Sequence, residues 1–315
     1  MARVFTEGRL VYGMQLPIQS QSTIYAEPWE AAATAADLAE VARAADRAGF
    51  GYLAGCDHVA IPRRLAGPMS TVWYDPVATL AFLAGITEHV RLLSHVAILG
   101  LRHPLVSAKQ YATLDHLSGG RLILGVGAGH VQEEFEVLGV DFARRGAVLD
   151  ETLDALRVAL GPEEYPEFEG ELFAFKDLGQ LPRPVQERIP VWVGGSSGPA
   201  VRRAALRGDG WLPQGDPRER LPVQIARIRE LRAGAGITGP MEFGAITEPL
   251  YVGEPGWDTG RRTLTGKAEV LAESLREYRA LGVDQIQVRF RSRDRAELVD
   301  QIAAFGAEVA PHLND

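Results

Sequence analysis

The chain has 315 residues, 46% hydrophobic and 23% charged, the make-up of a folded globular protein rather than a disordered, collagen-like or coiled-coil one. Its formal charge of -8 at neutral pH argues against nucleic acid or an anionic membrane as partner, because both recruit through a positive field. The lone cysteine, Cys56, excludes an intrachain disulfide and any paired-cysteine metal site.

The start, MARVFTEGRL, carries no apolar segment or small-residue cleavage site, which predicts a cytoplasmic protein. A strand over 10–16 comes first, followed by a helix over 29–48 whose Ala32, Ala35, Ala36, Ala39, Val41 and Ala42 form a small-residue stripe ended by Gly49. The second strand, 51–57, leads to a helix opened by Asp75 and Pro76, a cap residue followed by proline in the first turn. The longest apolar stretch, 78–86, lies in this helix; Thr79 and Gly85 interrupt it, and it is far shorter than the about 20 residues a spanning helix needs. The third strand, 90–99, precedes a helix over 104–117, and the fourth, 121–126, precedes helical periodicity over 132–160. A fifth strand over 190–193 is followed by a helix over 199–206, and a short sixth over 209–212 by a helix over 218–232. The seventh unit pairs 242–252 with a helix over 267–281, and the eighth pairs 284–290 with 296–309.

Eight strand-helix units is the number that closes a parallel barrel, and such barrels use about 250 residues plus insertions. The predicted fold class is therefore α/β, a (β/α)8 TIM barrel in one domain over residues 1–315. The surplus falls in two insertions, 161–189 and 213–265, expected at the C-terminal mouth, where loops shape substrate pockets.

In a barrel of this kind chemistry sits just past the strand ends. That filter selects Asp57 and His58 after the second strand, Ser94 and His95 in the third, Gly127, Ala128, Gly129 and His130 after the fourth, and Gly194, Gly195, Ser196 and Ser197 after the fifth. The last group runs from a strand through two glycines and two hydroxyls into a helix, so its backbone N–H groups would attract a phosphate, with Arg202 and Arg203 adding charge. The plainer reading is a barrel turn with Ser197 as helix cap. Small residues at 127–129 keep the strand end low, so a flat ring can lie against the backbone there. Asp57 and His58 supply a carboxylate and an imidazole, the ingredients of an oriented acid or base, although neighbours in an extended strand point opposite ways. Trp73, Tyr74, Phe173 and Trp211 are candidate pocket walls, or else core.

Two rival motifs are weak. The dinucleotide fingerprint at Gly125, Gly127 and Gly129 fails at its last position, which is His130. Gly194 to Gly198 matches the nucleophile elbow G-x-S-x-G, yet the one histidine after Ser196 is His312, the fourth residue from the end of the sequence. No histidine lies at metal-ligand spacing.

The stretch HPLVSAKQYATLDHLSGGRLILGVGAGH (103–130), continuing as VQEEFEVLGVDFARRGAVLDE, resembles the bacterial luciferase-like monooxygenase superfamily, as do PRPVQERIPVWVGGSSG (182–198) and GDGWLP (208–213). The resemblance implies a (β/α)8 barrel that uses FMN or the deazaflavin coenzyme F-420, commonly as a homodimer, on a small-molecule substrate. The CDHV at 56–59 is similar to the Asp-His of the deazaflavin branch. By that likeness Asp57 would bind the ring region, His58 would be the catalytic candidate with His130 as a second acid or base, and a non-prolyl cis peptide would lie close to Ser94-His95. His95 departs from the pattern, since relatives carry a small or aliphatic residue there. His130 departs too, standing where sugar-phosphate-oxidising relatives have an acidic glutamate. The resemblance thus implies an F-420-dependent oxidoreductase that transfers a hydride to or from a small organic substrate. The alternatives are an FMN-dependent monooxygenase and a non-catalytic flavin-binding protein. Arg63 and Arg64 are candidates for the acidic tail of F-420.

Overall fold

A computed structural model describes residues 4–315. Eight parallel strands close a barrel: β1 (Val11–Gln15), β2 (Tyr52–Gly55), β3 (Arg91–Ser94), β4 (Leu122–Val126), β7 (Val191–Val193), β8 (Gly210–Trp211), β9 (Glu242–Ile246) and β12 (Gln285–Val288). Around the barrel the neighbours run β1-β12-β9-β8-β7-β4-β3-β2, and β12 returns to β1 with Val11 beside Gln285. The predicted barrel is thus the observed one. No helix among the described residues is long and apolar enough to cross a membrane.

Helices α1 (Ala35–Arg47), α3 (Pro76–Ala84), α4 (Pro104–Leu117), α6 (Arg145–Ala159), α7 (Gly198–Arg207), α8 (Leu221–Gly234), α9 (Ala268–Ala280) and α10 (Arg295–Ala304) follow the strands, and two short ones, α2 (Ala66–Met69) and α5 (Gln132–Val137), sit in the connecting loops. Local chemistry breaks two of the predicted helices. Thr34 and Asp37 form a capping box that starts α1 afresh after a 3-10 turn at Pro28–Ala32. The segment over 132–160 divides because Gly139 takes a φ of 73°, which ends α5 before α6 begins. The predicted seventh strand divides as well. After β9 the run breaks before Leu250, and β10 (Leu250–Val252) pairs with β11 (Leu264–Gly266) while Leu250 also bridges to Phe290 beyond β12.

The 161–189 insertion is not at the mouth. It forms a hairpin of β5 (Phe168–Glu169) and β6 (Ala174–Phe175), and then runs along α4, where Gln180 donates to the Leu105 carbonyl and the N–H of Val185 to Asp115. Phe173 therefore meets His103 rather than a pocket.

Inside the barrel Tyr52, Ala54, Leu93, Ile123, Trp192 and Leu212 form their own buried cluster, closed below by Phe5, whose ring lies 6.1 Å from Trp192. Strand alternation then decides what faces the mouth above them. Leu93, Ile123 and Trp192 share a face with His95, Gly125 and Gly194, two residues further along each strand.

Candidate active site

A cavity of about 740 Å³ opens at the C-terminal ends of the strands, a size suited to a cofactor and a small substrate. Of the residues selected from the sequence, Asp57, His58, His95, Gly127, Ala128, Gly129, His130, Gly194, Gly195 and Ser197 line it. Ser94 and Ser196 do not, and each has a physical reason. Ser94 is fully buried on the outward face of β3, where its Oγ donates to the Gly125 carbonyl at 2.9 Å and accepts from the Gly125 N–H at 3.1 Å. It is a clamp between two strands. Ser196 lies just off the wall, with its carbonyl accepting from Gln224 at 3.3 Å.

Asp57 and His58 point apart, as neighbours in extended chain do. Both Asp57 oxygens are engaged: Arg102 donates to them at 2.6 and 2.9 Å, and the Ile98 N–H donates at 2.9 Å. Asp57 thus fixes the segment after β3, with both oxygens engaged, while lining the cavity. His58 turns to Glu134 on α5, with Nδ1 and Oε2 2.8 Å apart. The other Glu134 oxygen accepts from the N–H groups of Val59 and Ala60 at 2.6 and 3.1 Å. Burial works to raise the Glu134 carboxyl, but the hydrogen bond and charge of His58 and these N–H groups outweigh it and hold it below the usual carboxylate range. A carboxylate opposite Nδ1 keeps the proton on that nitrogen and leaves Nε2 as the free one.

Trp73 packs edge-on against His58 with centroids 4.5 Å apart, and His130 packs edge-on against it at 5.4 Å. His130 stands at the solvent-facing rim. Loss of hydration in the cleft, and secondarily the nearby His58, lower its pKa below the usual imidazole value. Trp73 is held by the loop after β1, through a bridge with Ser20 and a bond from Gln21 N–H to the Val72 carbonyl. That loop supplies Ser20, Ser22, Ile24 and Tyr25 to the mouth, and the sequence reading missed it. Of the other predicted walls, Trp211 is core and Tyr74 packs against the core from beside it.

The glycines at the strand ends serve a different neighbour from the one expected. A Cβ on Gly127 would lie 2.5 Å from the Val96 side chain, and one on Gly194 2.6 Å from it. The peptide joining His95 to Val96 is cis, one bond beyond the expected place. Val96 therefore rises between the ends of β4 and β7 into the cavity wall, and the glycines make room for it.

At the other end of the cavity Ser197 caps α7, accepting from the Ala200 N–H at 3.4 Å, and Gly195 turns with a φ of 84°. Arg202 is exposed, and Arg203, buried, is tied to Asp150 at 2.6 Å and to the Gly146 carbonyl. Arg145 also lines this end; its Nη1 donates to the Phe142 carbonyl at 2.9 Å, and it makes no ion pair among the described residues. The sequence reading passed over this cation. Arg64 is paired with Glu133 at 2.5 and 2.9 Å, and neither it nor Arg63 lines the cavity. No cluster that could hold a metal ion occurs among the described residues. His312 pairs with Asp315 at 3.0 Å and Ser196 has no histidine partner among the described residues, so the hydrolase motif is not assembled.

The family model for luciferase-like monooxygenase matches residues 11–255. An uncharacterized protein of Mycobacterium tuberculosis is 35% identical over 222 residues, which cover 66% of this chain and 75% of the relative. Among solved structures, a monooxygenase, RslO1, from Streptomyces bottropensis superposes with a TM-score of 0.79 at 22% identity, covering 96% of this chain and 99% of its own. An F-420-dependent secondary alcohol dehydrogenase in complex with an F-420-acetone adduct gives 0.79 at 17% identity, covering 98% of this chain and 100% of its own. At these identities the two structures establish the fold.

Proposed function

The chain belongs to the luciferase-like monooxygenase family, and from that membership we propose that it is an oxidoreductase using the deazaflavin coenzyme F-420 to move a hydride to or from a small organic substrate. The observation that carries the reading is the His58-Glu134 pair on the cavity wall, an imidazole whose Nδ1 is held by a buried carboxylate. Hydride transfer to or from a carbonyl-type carbon needs a matching proton transfer at the attached atom. His58 presents Nε2 for that purpose, and Glu134 fixes the ring and stabilises it when both nitrogens carry protons. Trp73 and His130 both pack edge-on against the imidazole, contacts that limit its rotation.

The residues fit a cofactor of this type. Val96, seated in space that two glycines leave, backs the ring; Gly194, Gly195, the capped start of α7 and Arg145 would hold its phosphate. When bound, F-420 supplies a ring carbon that gives or takes a hydride, with little reactivity toward oxygen. FMN carries the same ribityl phosphate, so the cradle at Arg145 and Ser197 also supports an FMN-dependent monooxygenase as the second reading.

Titration of the cofactor-free protein with F-420 and with FMN, followed by fluorescence quenching, separates the two. The expected result is tighter binding of F-420 and no oxygen consumption by the reduced complex. Preference for FMN with rapid oxygen uptake would overturn the first reading in favour of the second.

A further inference from the structure

His95 is 4% exposed, forms part of the cavity wall, and is fixed at two points. Its backbone N–H donates to the Gly55 carbonyl at 2.7 Å, and its ring Nε2 lies 3.1 Å from the Leu212 carbonyl, so the ring reaches from the end of β3 to the end of β8. A carbonyl oxygen only accepts, so Nε2 carries the ring proton and Nδ1 is a bare acceptor. Nδ1 is buried and has no hydrogen-bond partner among the described residues. Buried polar atoms in folded proteins are as a rule satisfied, so one without a partner in a residue of the cavity wall calls for a partner from the cavity. Val96, Ile98 and Ala128, which line the same cavity, are apolar. Burial pushes the imidazole down to about 4, with the Leu212 hydrogen bond opposing, so the ring stays neutral and the acceptor stays available at neutral pH.

We propose that His95 Nδ1 is a preset acceptor for one N–H or O–H of the bound cofactor, supplied by the pyrimidine ring or by a ribityl hydroxyl. The inference rests on the cofactor reading above and adds to it a named atom, its protonation and the chemistry it selects. The ring is held by protein bonds before any ligand arrives, so its orientation needs no further ordering.

Two variants divide the two functions of the ring. His95→Gln keeps an amide N–H in reach of the Leu212 carbonyl and removes the acceptor at the Nδ1 position. His95→Asn keeps an acceptor near Nδ1 and gives up the Leu212 bond. Each variant is titrated with F-420, FMN and lumiflavin, which has the ring but no ribityl chain, after circular dichroism shows the barrel intact. The expected result is that His95→Gln weakens cofactor binding by about three- to tenfold, the worth of one hydrogen bond, while His95→Asn stays within about twofold of wild type. Weakening that extends to lumiflavin assigns the donor to the ring, and weakening confined to F-420 and FMN assigns it to the ribityl chain. Equal affinities in wild type and His95→Gln, or equal losses in both variants, overturn the inference, because Nδ1 then holds only a water or the ring acts by packing. A wild-type protein that binds neither F-420 nor FMN overturns the cofactor reading and this inference together.

Discussion

Glu134 meets His58 at 2.8 Å although 76 residues separate them, and the same carboxylate accepts from the backbone N–H groups of Val59 and Ala60. One buried side chain on α5 thus sets both the orientation of the imidazole and the path of the chain that carries it. Orientation of an acid or base by a second group is what makes it effective in proton transfer.

Replacement of the two members should separate their roles. His58→Asn is expected to lower turnover by about 10² to 10⁴ with little change in cofactor affinity, the range for loss of a general acid or base. Glu134→Gln should lower turnover by a smaller factor, about 10 to 10², and change the pH profile of kcat, because the imidazole then lacks the carboxylate that holds its Nδ1. An unchanged pH profile in Glu134→Gln would remove the positioning role.

The same carboxylate makes a prediction about stability. Folding lowers the Glu134 pKa from its ordinary 4.5, so its contribution is present above that value and is lost as pH falls through the lower folded value. The stability difference between wild type and Glu134→Gln, measured by urea unfolding between pH 7 and pH 3, should therefore hold steady above about 5 and shrink below it.

Asp57 is expected to act through stability. Its carboxylate is 1% exposed and Arg102 is 16% exposed, joined by two hydrogen bonds at 2.6 and 2.9 Å. Asp57→Asn should cost about 3 kcal/mol of unfolding free energy, the low end for breaking a buried pair, since Arg102 keeps some contact with water. If unfolding is unchanged while cofactor affinity drops, Asp57 binds the ring directly after all.

The barrel was legible because its strands and helices carry different apolar periods, and counting eight of them required no knowledge of contacts. What sequence position alone selected less well was direction. Ser94 and His95 both passed the strand-end filter, yet alternation from Leu93 already puts His95 inward and Ser94 outward, against Gly125. Glu134 was invisible for another reason: its partner comes from the loop after β2, and no local pattern announces a pairing across that distance. Arg145 was passed over because it lies in the first turn of a helix well past the β4 end, where the filter did not look. Gly127 and Gly194 did signal a close approach, and the approaching atoms belong to Val96.

That last relationship gives a double-mutant test. Gly127→Ala and Gly194→Ala each place a Cβ within 2.6 Å of Val96, so each should destabilise the fold by about 1 to 3 kcal/mol and weaken cofactor binding as Val96 is displaced. Val96→Ala removes the two methyl groups they meet. Combining it with either glycine variant should restore most of the lost stability, a coupling that distant sites do not show. Additive losses would mean that Val96 is not the neighbour the glycines accommodate.

Arg145 lines the cavity near the start of α7. Arg203, the cation predicted there, is neutralised by Asp150, whereas Arg145 lines the same wall with no carboxylate partner among the described residues. An unpaired guanidinium beside a capped helix start is suited to a phosphate, because the charge and the N–H groups act on the same oxygens. Arg145→Ala should weaken FMN by about 10- to 100-fold, as expected for one hydrogen bond to a charged group, and leave riboflavin, which lacks the phosphate, within about twofold. The same contrast should appear between F-420 and its phosphate-free chromophore. Equal losses for the phosphorylated and unphosphorylated ligands would place the phosphate elsewhere and reduce Arg145 to a packing residue against Phe142, over whose ring its guanidinium already lies at 3.9 Å.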